Sequence, residues 1–415
     1  MAACALFAAC AGIFQHARPA TTMRYAQAVE VGDGVVAVGS AERDITPAVG
    51  GYLGGFDLAR TSTAVGTPLK VRAMVLVTKA RRFAIVGIDN LGLMREDVDW
   101  LKAGLAGFAN GDVFVCASHT HAGPDLIGLW GWYFLSSGRD RAYLATVAEA
   151  TSAAVAAACA AAAPARFVLG QSLLPPAGLV KNANRRGVFD RRVTVLHAQA
   201  IADDRPLGTL LHFACHPEVL PRANTAISAD FVGELCDRWR ARGHGQAVFV
   251  NGALGAMISP DVRPRDLAGV AAFGEAACRL CEQALAGAAP LPVDAIEVAR
   301  TDIWLPMHAT GFRVGRLATT LQRELFAGAA RSTVGWLRLG AFEALAVPGE
   351  MEPSLAALLR AELRRPDAVV FGLCDDEVGY LLRGQDADDP EFAYERSMSP
   401  CRDAGEIVRA ALSGR

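Results

Sequence analysis

The chain has 415 residues, of which 52% are hydrophobic and 20% are charged, and its formal net charge is -2. This composition is typical of a globular protein with a sizeable core and excludes a disordered chain. The near-neutral charge offers no field that would attract nucleic acid, so nucleic-acid binding is not expected. Ten cysteines are scattered through mostly apolar stretches, which is typical of buried thiols rather than of a disulfide framework.

The amino-terminal segment is apolar and resembles part of a secretory signal peptide. Residues 2–15 are too short to span a bilayer. A signal peptide begins with a positively charged region, but no Lys or Arg precedes these residues. We assign residues 1–28 to this signal-like segment and expect a periplasmic or secreted protein without a stable membrane span. Residues 35–415 contain no Gly/Ser-rich or Pro-rich linker, and we predict that they form one domain.

Beyond this segment, β-branched apolar runs alternate with loops and with Ala-rich or amphipathic helices. Strands are predicted at 71–78, 83–88, 113–117, 166–169, 193–196, 208–215, 247–250, 342–347 and 368–373. Helices are predicted at 98–105, 139–162, 231–242, 267–285, 314–326 and 354–364. The alternation favours an α/β fold with a layered, mixed β-sheet flanked by helices.

The common catalytic and nucleotide-binding motifs are mostly absent from the sequence. It contains no G-x-S-x-G and no Walker phosphate loop. Gly32, Gly34 and Ala37 match a dinucleotide-binding pattern, but a strand follows where a helix is needed, so we interpret the match as chance. Cys278 and Cys281 form a C-x-x-C within a helical stretch without a second pair, which favours packing over metal binding.

Polar residues instead follow several predicted strands. In chain order they include His119, His121, His216, Glu350 and Tyr380. The carboxyl ends of strands line the ligand crevice in open α/β sheets, so these residues could converge. Two imidazoles and a carboxylate leave one position open on zinc for water, whose pKa the metal brings to about 7. Taken one at a time, however, such residues also occupy ordinary turns and hydrogen-bonded loop positions.

An ordered series of short motifs runs through nearly the whole chain. They are Arg-Asp-Ile-Thr-Pro at 43–47, Asp89, His-Thr-His-Ala-Gly-Pro at 119–124, Asn-Arg-Arg at 184–186, Asp190, Phe-Ala-Cys-His-Pro at 213–217, Ile-Ser-Ala-Asp-Phe at 227–231, Val-Pro-Gly-Glu at 347–350, Gly-Tyr at 379–380 and Tyr-Glu at 394–395. In this order they resemble the neutral/alkaline non-lysosomal ceramidases and their shorter bacterial relatives. The resemblance implies an α/β catalytic domain that uses zinc to cleave the N-acyl bond of ceramide.

The resemblance also implies a zinc ligand set. The first His of His-Thr-His, the His of His-Pro, the Glu of Pro-Gly-Glu and the Tyr of Gly-Tyr correspond to His119, His216, Glu350 and Tyr380. The second His of the first motif, His121, is implied to assist near the oxyanion or the leaving group. These implied ligands coincide with the polar residues that follow the predicted strands.

Three further residues receive roles from the resemblance alone. Arg185 is implied to contact substrate, Tyr394 to line the site, and Ser259 aligns with a serine implicated in activity. The sequence departs from the family at Met257, where a polar residue is usual, and at Asp375, where Asn is usual. The chain ends soon after the Tyr-Glu motif, so we expect no C-terminal immunoglobulin-like domain.

The sequence therefore predicts a zinc-dependent amidohydrolase whose partner is a small-molecule or lipid N-acyl substrate, with ceramide as the default. The alternatives are an ester, lactone or glycan-linked amide hydrolase on the same scaffold, or a catalytically silent lipid- or sugar-binding protein. The aromatic residues Trp130, Trp132, Tyr133 and Phe134 follow His121 closely. They predict either an acyl-chain pocket or a well-packed core loop.

Overall fold

The computed structural model describes residues 15–16, 24–31, 35–133, 136–185, 187–310, 312–313 and 321–414. Within these ranges, two β-sheets pack face to face. Eight strands of the nine-stranded sheet have the spatial order Ala247–Asn251, Pro206–Phe213, Arg192–Ala200, Ala163–Leu173, Val36–Asp44, Lys70–Val77, Arg82–Ile88 and Val113–Ala117. The ninth, Ala289–Leu291, pairs with Ala163–Leu173. Each strand at the two ends of this order pairs in parallel with its neighbour and the other pairs are antiparallel, so the sheet is mixed.

A seven-stranded sheet forms the second layer. Five of its strands have the spatial order Gln15–His16, Leu325–Phe326, Ala329–Leu339, Ala295–Pro306 and Arg24–Glu30. Phe342–Ala346 also pairs with Ala329–Leu339, and Val369–Phe371 pairs with Phe342–Ala346. Residues 24–28 of the signal-like segment belong to one edge of this sheet. Apart from Gln15–His16, residues 1–23 of that segment lie outside the described ranges.

The two sheets share one hydrophobic core. Met74 and Phe114 of the first sheet lie in the same buried cluster as Leu337 and Phe371 of the second. The rings of Phe114 and Phe371 meet edge to face, with centroids 6.1 Å apart. Successive side chains of a strand point to opposite faces, so Ala73, the neighbour of Met74, packs under the helices instead.

Helices cover the outer faces of both sheets. Helices with both ends in the described ranges are Arg95–Ala103, Arg141–Ala160, Asp230–Trp239, Leu267–Ala286, Pro353–Leu363, Ala393–Ser397 and Ala404–Leu412. Shorter turns are the 3₁₀-helices Asn110–Asp112 and Pro390–Phe392 and the π-helix Arg240–His244. The part of the chain that the structure describes also contains three two-stranded pairs: Ala64–Val65 with Ala226–Ile227, Val180–Asn182 with Ile258–Pro260, and Glu350–Met351 with Tyr380–Leu381. The predicted layered α/β fold with a mixed sheet and flanking helices is confirmed.

The end of one predicted helix is wrong. Leu325–Phe326, the end of the helix predicted at 314–326, is a strand, and residues 314–320 lie outside the described ranges.

Among the described residues, Arg141–Ala160 is the one helix long and apolar enough to cross a membrane by length and composition. Asp140 caps it by accepting from the N–H groups of Ala142 and Tyr143, and its buried face packs on the nine-stranded sheet.

Candidate active site

His119 stands two residues beyond the strand Val113–Ala117 and is held by two backbone carbonyls. Its own N–H donates to the Asn90 carbonyl at 2.8 Å, and its φ of 73° lies in the left-handed region. Its Nδ1 lies 2.6 Å from the Leu91 carbonyl oxygen. Because a carbonyl can only accept, Nδ1 carries the proton, and in the neutral ring Nε2 is left with its lone pair. That Nε2 points at Glu350 Oε1, 3.5 Å away.

His216 follows the strand Pro206–Phe213 and repeats this arrangement. The Ile258 carbonyl oxygen lies 2.8 Å from the backbone N and 2.8 Å from Nδ1 of His216. Nδ1 is therefore the donor, and Nε2 faces Glu350 Oε2 at 2.9 Å. The imidazole is fully buried. Two lone-pair-bearing atoms at this distance repel each other unless a proton or a metal cation lies between them.

Glu350 and Tyr380 are brought together by a short pair of parallel strands. They are direct partners in the register of Glu350–Met351 with Tyr380–Leu381. The Glu350 N–H donates to the Gly379 carbonyl at 3.0 Å, which fixes where the carboxylate emerges. Both side chains are buried. The pairing places the phenol beside the carboxylate that the two histidines share.

The titratable side chains of this cluster shift one another's pKa values. Burial by itself would raise the pKa of the Glu350 carboxyl, but His119 and His216 hold that pKa well below its usual range. Burial would likewise lower the pKa of His216, whereas its hydrogen bond to Glu350 raises it. For Tyr380, burial and then the charge of Glu350 raise the pKa of the phenol well above its usual value. The Glu350 carboxyl is therefore ionised, and the Tyr380 phenol beside it keeps its proton.

His121 completes the cluster from the same loop as His119. Its ring centroid lies 5.0 Å from that of His119 and 5.7 Å from that of His216. Arg60 donates to the backbone carbonyl of His121 at 2.5 Å. Neither ring nitrogen has a hydrogen-bond partner among the described residues. Burial, and then the charges of His119 and His216, lower the pKa of His121 well below its usual value, which favours a neutral imidazole.

These residues fit a zinc ion. Candidate ligand atoms of His119, His121 and His216 lie within 4.8 Å of one another, and the described residues contain one such group. The buried Glu350 carboxylate reaches two of the three rings. Imidazole and carboxylate donors without a thiolate suit catalytic zinc. Cys278 and Cys281 are buried away from this group and form no disulfide in the described structure.

An open cleft of about 630 Å³ leads to the cluster. Its apolar lining residues are Leu91, Ile127, Leu129, Trp130, Met307, Phe312, Leu321, Val378 and Met398. Of the aromatic residues predicted to form an acyl-chain pocket, Trp130 is in this lining. The prediction is wrong for Trp132, which is 70% exposed, and for Tyr133, because neither lines the cleft. Phe134 lies outside the described residues.

The three residues whose roles rested on the resemblance alone lie in different places. Tyr394 lines the cleft and is partly exposed, its ring centroid 6.0 Å from that of Tyr380. Ser259 lines a neighbouring polar cavity, and its hydroxyl donates to the Met257 carbonyl at 3.2 Å. Neither Ser259 nor Arg185 lines the cleft.

Arg185 is instead tied to the carboxyl-terminal part of the chain. It pairs with Asp386 at 2.8 Å and with Asp389 at 3.1 Å, and its guanidinium lies 4.7 Å from the centroid of the Phe392 ring. The neighbouring Arg186 lies outside the described residues. Arg185 therefore anchors the segment that carries Tyr394, and the substrate contact implied for it remains a prediction.

Sequence reasoning missed two acidic residues at the site. Glu377 lines the cleft, and burial followed by the charge of Glu350 raises the pKa of its carboxyl well above the usual value. Glu218 is 6% exposed, and its Oε2 lies 4.0 Å from Nδ1 of His121. In the sequence, only their positions beside the motifs could have pointed to these two residues: Glu218 follows the His-Pro motif, and Glu377 precedes Gly-Tyr.

Comparisons with known proteins identify the fold. No protein-family model and no curated protein matches the sequence. A crystal structure of neutral ceramidase from Pseudomonas aeruginosa matches with a TM-score of 0.72 and 16% identity, covering 92% of this chain and 75% of that one. A ceramidase complexed with C2 matches with a TM-score of 0.71 and 16% identity, covering 92% and 74%. The chain therefore has the neutral ceramidase fold, and the resemblance inferred from its motifs is confirmed at the level of the fold.

Proposed function

We propose that this protein is a zinc-dependent amidohydrolase that cleaves the N-acyl bond of a ceramide-like substrate. The observation that carries the proposal is the orientation of His119 and His216. Each donates its Nδ1–H to a backbone carbonyl, at 2.6 and 2.8 Å, and turns Nε2 toward the Glu350 carboxylate. Metal-ligating histidines are oriented in this way by their outer hydrogen bonds. The neutral ceramidase fold supports an N-acyl amide as substrate.

His119, His216, Glu350 and Tyr380 would hold the metal. When bound there, zinc lowers the pKa of a ligated water to about 7 and polarises an acyl carbonyl. His119 and His216 come from loops after separate strands, whereas Glu350 and Tyr380 lie on two short paired strands, so the positions of all four depend on the intact fold. The absence of thiolates from the group leaves the cation a strong Lewis acid.

The protein's own residues would bind and orient the substrate. The apolar side of the cleft, including Ile127, Leu129 and Trp130, would bury the acyl chain and exclude water from the reacting carbonyl. His121 stands beside the cluster with both ring nitrogens unpartnered in the described structure. It could donate a hydrogen bond to the developing oxyanion or pass a proton to the departing amine.

The test is metal analysis combined with a substrate panel on the purified protein. We expect about one zinc per chain, octanoate release from N-octanoylsphingosine, loss of activity with a chelator and recovery when zinc is restored. Esters and lactones of the same acyl chain serve as the comparison. Protein that carries zinc but hydrolyses esters and no amide would replace the proposal by the ester-hydrolase alternative, and protein purified without chelator that lacks transition metal would refute it.

A further inference from the structure

A polar cavity of about 540 Å³ lies next to the histidine cluster, separate from the apolar cleft. It is lined by Lys181, Glu218, Ser259, Asp261, Arg263 and Arg265, with Pro260 and Val262. The lining is mostly charged, whereas the lining of the cleft is mostly apolar. Two such different environments next to one reactive group would sort the two ends of a substrate.

One short stretch of chain links the two spaces. Met257 Sδ contacts the hydroxyl of Tyr380, which lines the cleft, at 3.5 Å. The carbonyl of the next residue, Ile258, holds His216 at 2.8 Å, and Ser259 lines the polar cavity. Glu218 of the polar cavity also lies 4.0 Å from His121 of the cleft. The polar cavity and the cleft therefore adjoin along this stretch and at the contact between Glu218 and His121.

The charge of the polar cavity favours an anion. Lys181, Arg263 and Arg265 supply three positive charges against two negative charges from Glu218 and Asp261, an excess of one. Lys181 pairs with Asp261 at 3.2 Å. Arg265 donates to the backbone carbonyls of Glu218 and Val219 at 2.5 and 3.2 Å.

Of the three cationic side chains, Arg263 is the one that none of these contacts involves. It is exposed, and no ion pair to it occurs in the described part of the chain. A free guanidinium presents a planar pair of donors that matches a carboxylate. A long hydrocarbon chain placed in this cavity would instead desolvate charged groups without replacing their hydrogen bonds.

We propose that the preferred substrate is an N-acylated amino acid, with its acyl chain in the cleft and its carboxylate at Arg263. The proposal rests on the proposed amidohydrolase function and narrows its substrate class. Hydrolysis balances without a further reactant: the water oxygen bonds to the acyl carbon and the C–N bond breaks. A proton passes to the nitrogen, and a fatty acid and a free amino acid leave.

The test compares octanoate release from N-octanoylglycine and from N-octanoylglycinamide, which differ only in one terminal group, an anionic carboxylate or a neutral carboxamide. We expect kcat/KM of the native enzyme to be about tenfold higher for the glycine conjugate. Arg263→Gln should abolish this preference. Arg279→Gln should retain it, because Arg279 is an exposed residue on the helix Leu267–Ala286, paired with Glu275 away from the cavity.

The outcomes separate this inference from the proposed function. If the enzyme cleaves N-octanoylsphingosine but prefers the neutral conjugate, or if the preference survives Arg263→Gln, the inference is wrong and the amidohydrolase proposal stands. If the enzyme cleaves no amide, calorimetric measurement of the binding of the same two conjugates tests the anionic subsite by itself. Tighter binding of the glycine conjugate that depends on Arg263 supports the anionic subsite, and equal binding refutes it.

Discussion

The sulfur of Met257 lies 3.5 Å from the phenolic oxygen of Tyr380. Met257 occupies the position where the ceramidase motif usually has a polar residue, and it follows Ala256 in a turn where both have left-handed φ values, 67° and 55°. A thioether is a weak hydrogen-bond acceptor, so it competes little for the Tyr380 oxygen. The substitution therefore leaves that oxygen available to a cation held by Glu350.

We predict that Tyr380→Phe weakens zinc binding by at least about tenfold, because it removes one oxygen ligand and keeps the ring. Competition with a chromogenic chelator would measure the change. Tyr394→Phe is the matched control, since Tyr394 lines the same cleft and is partly exposed. Equal zinc affinity in both variants would remove Tyr380 from the ligand set.

The three clustered histidines should separate into ligands and a neighbour. His119→Ala and His216→Ala should lose the metal, because each removes a nitrogen that faces Glu350. His121→Ala should retain zinc and lower kcat by about 10²- to 10⁴-fold, the range for loss of a general acid–base group. Elemental analysis and steady-state kinetics on the same preparations test both statements.

His244→Ala and Cys278→Ser are the controls for this series. His244 pairs with Glu282 at 3.0 Å, and Cys278 is buried in a hydrophobic cluster; neither belongs to the group of candidate metal ligands. Both variants should keep zinc and activity. Zinc loss in His121→Ala with retention in His216→Ala would instead show that the three imidazoles divide the ligand role differently.

Trp130 should select for acyl-chain length. Trp130 lines the cleft, whereas Trp132 is 70% exposed and does not. Trp130→Ala should reduce kcat/KM for long-chain amides about ten- to two-hundred-fold more than for short-chain amides, since an apolar contact contributes roughly 1–3 kcal/mol. Trp132→Ala should leave the ratio unchanged. A uniform loss in Trp130→Ala with zinc still bound would show that Trp130 supports the fold and does not select the chain.

Asp375 should contribute to stability at neutral pH. It pairs with Lys102 at 2.8 Å and with Arg300 at 2.7 Å, and all three side chains are buried. Asp375→Asn leaves both cations without a counter-charge and should lower the free energy of unfolding by about 3 kcal/mol. Urea unfolding at pH 7 would measure this, with the exposed Asp367→Asn as control.

The pH dependence of this stabilisation follows from the pKa of Asp375. Burial would raise that pKa, but Arg300 and Lys102 hold it below its ordinary value. A depressed pKa in the folded state means that the stabilisation is complete above the unfolded pKa, about 3.9, and is lost as the pH falls through the folded value. The difference between native protein and Asp375→Asn should therefore shrink below about pH 4, and a difference that grows there would contradict the assignment.

Most strands of the first sheet were predictable because they are largely apolar runs, but Val36–Asp44, which ends in charged residues, and the short Ala289–Leu291 were missed. Val113–Ala117 matches its prediction, while the strand predicted at 166–169 extends over Ala163–Leu173, since pairing with strands on both of its edges lengthens it. The long strand Ala295–Pro306 of the second sheet was missed. It contains charged residues such as Arg300, whose guanidinium lies 3.6 Å from the centroid of the Phe114 ring. Its burial depends on partners that are distant in sequence.

The sequence by itself determined the residue types of the candidate site, because imidazole, carboxylate and phenol after separate strands are uncommon together. Tertiary structure decided which atoms face one another. The carbonyls of Leu91 and Ile258, remote in the chain, orient His119 and His216 toward Glu350. Hydrogen bonds between remote segments set side-chain direction, and sequence spacing carries no information about them.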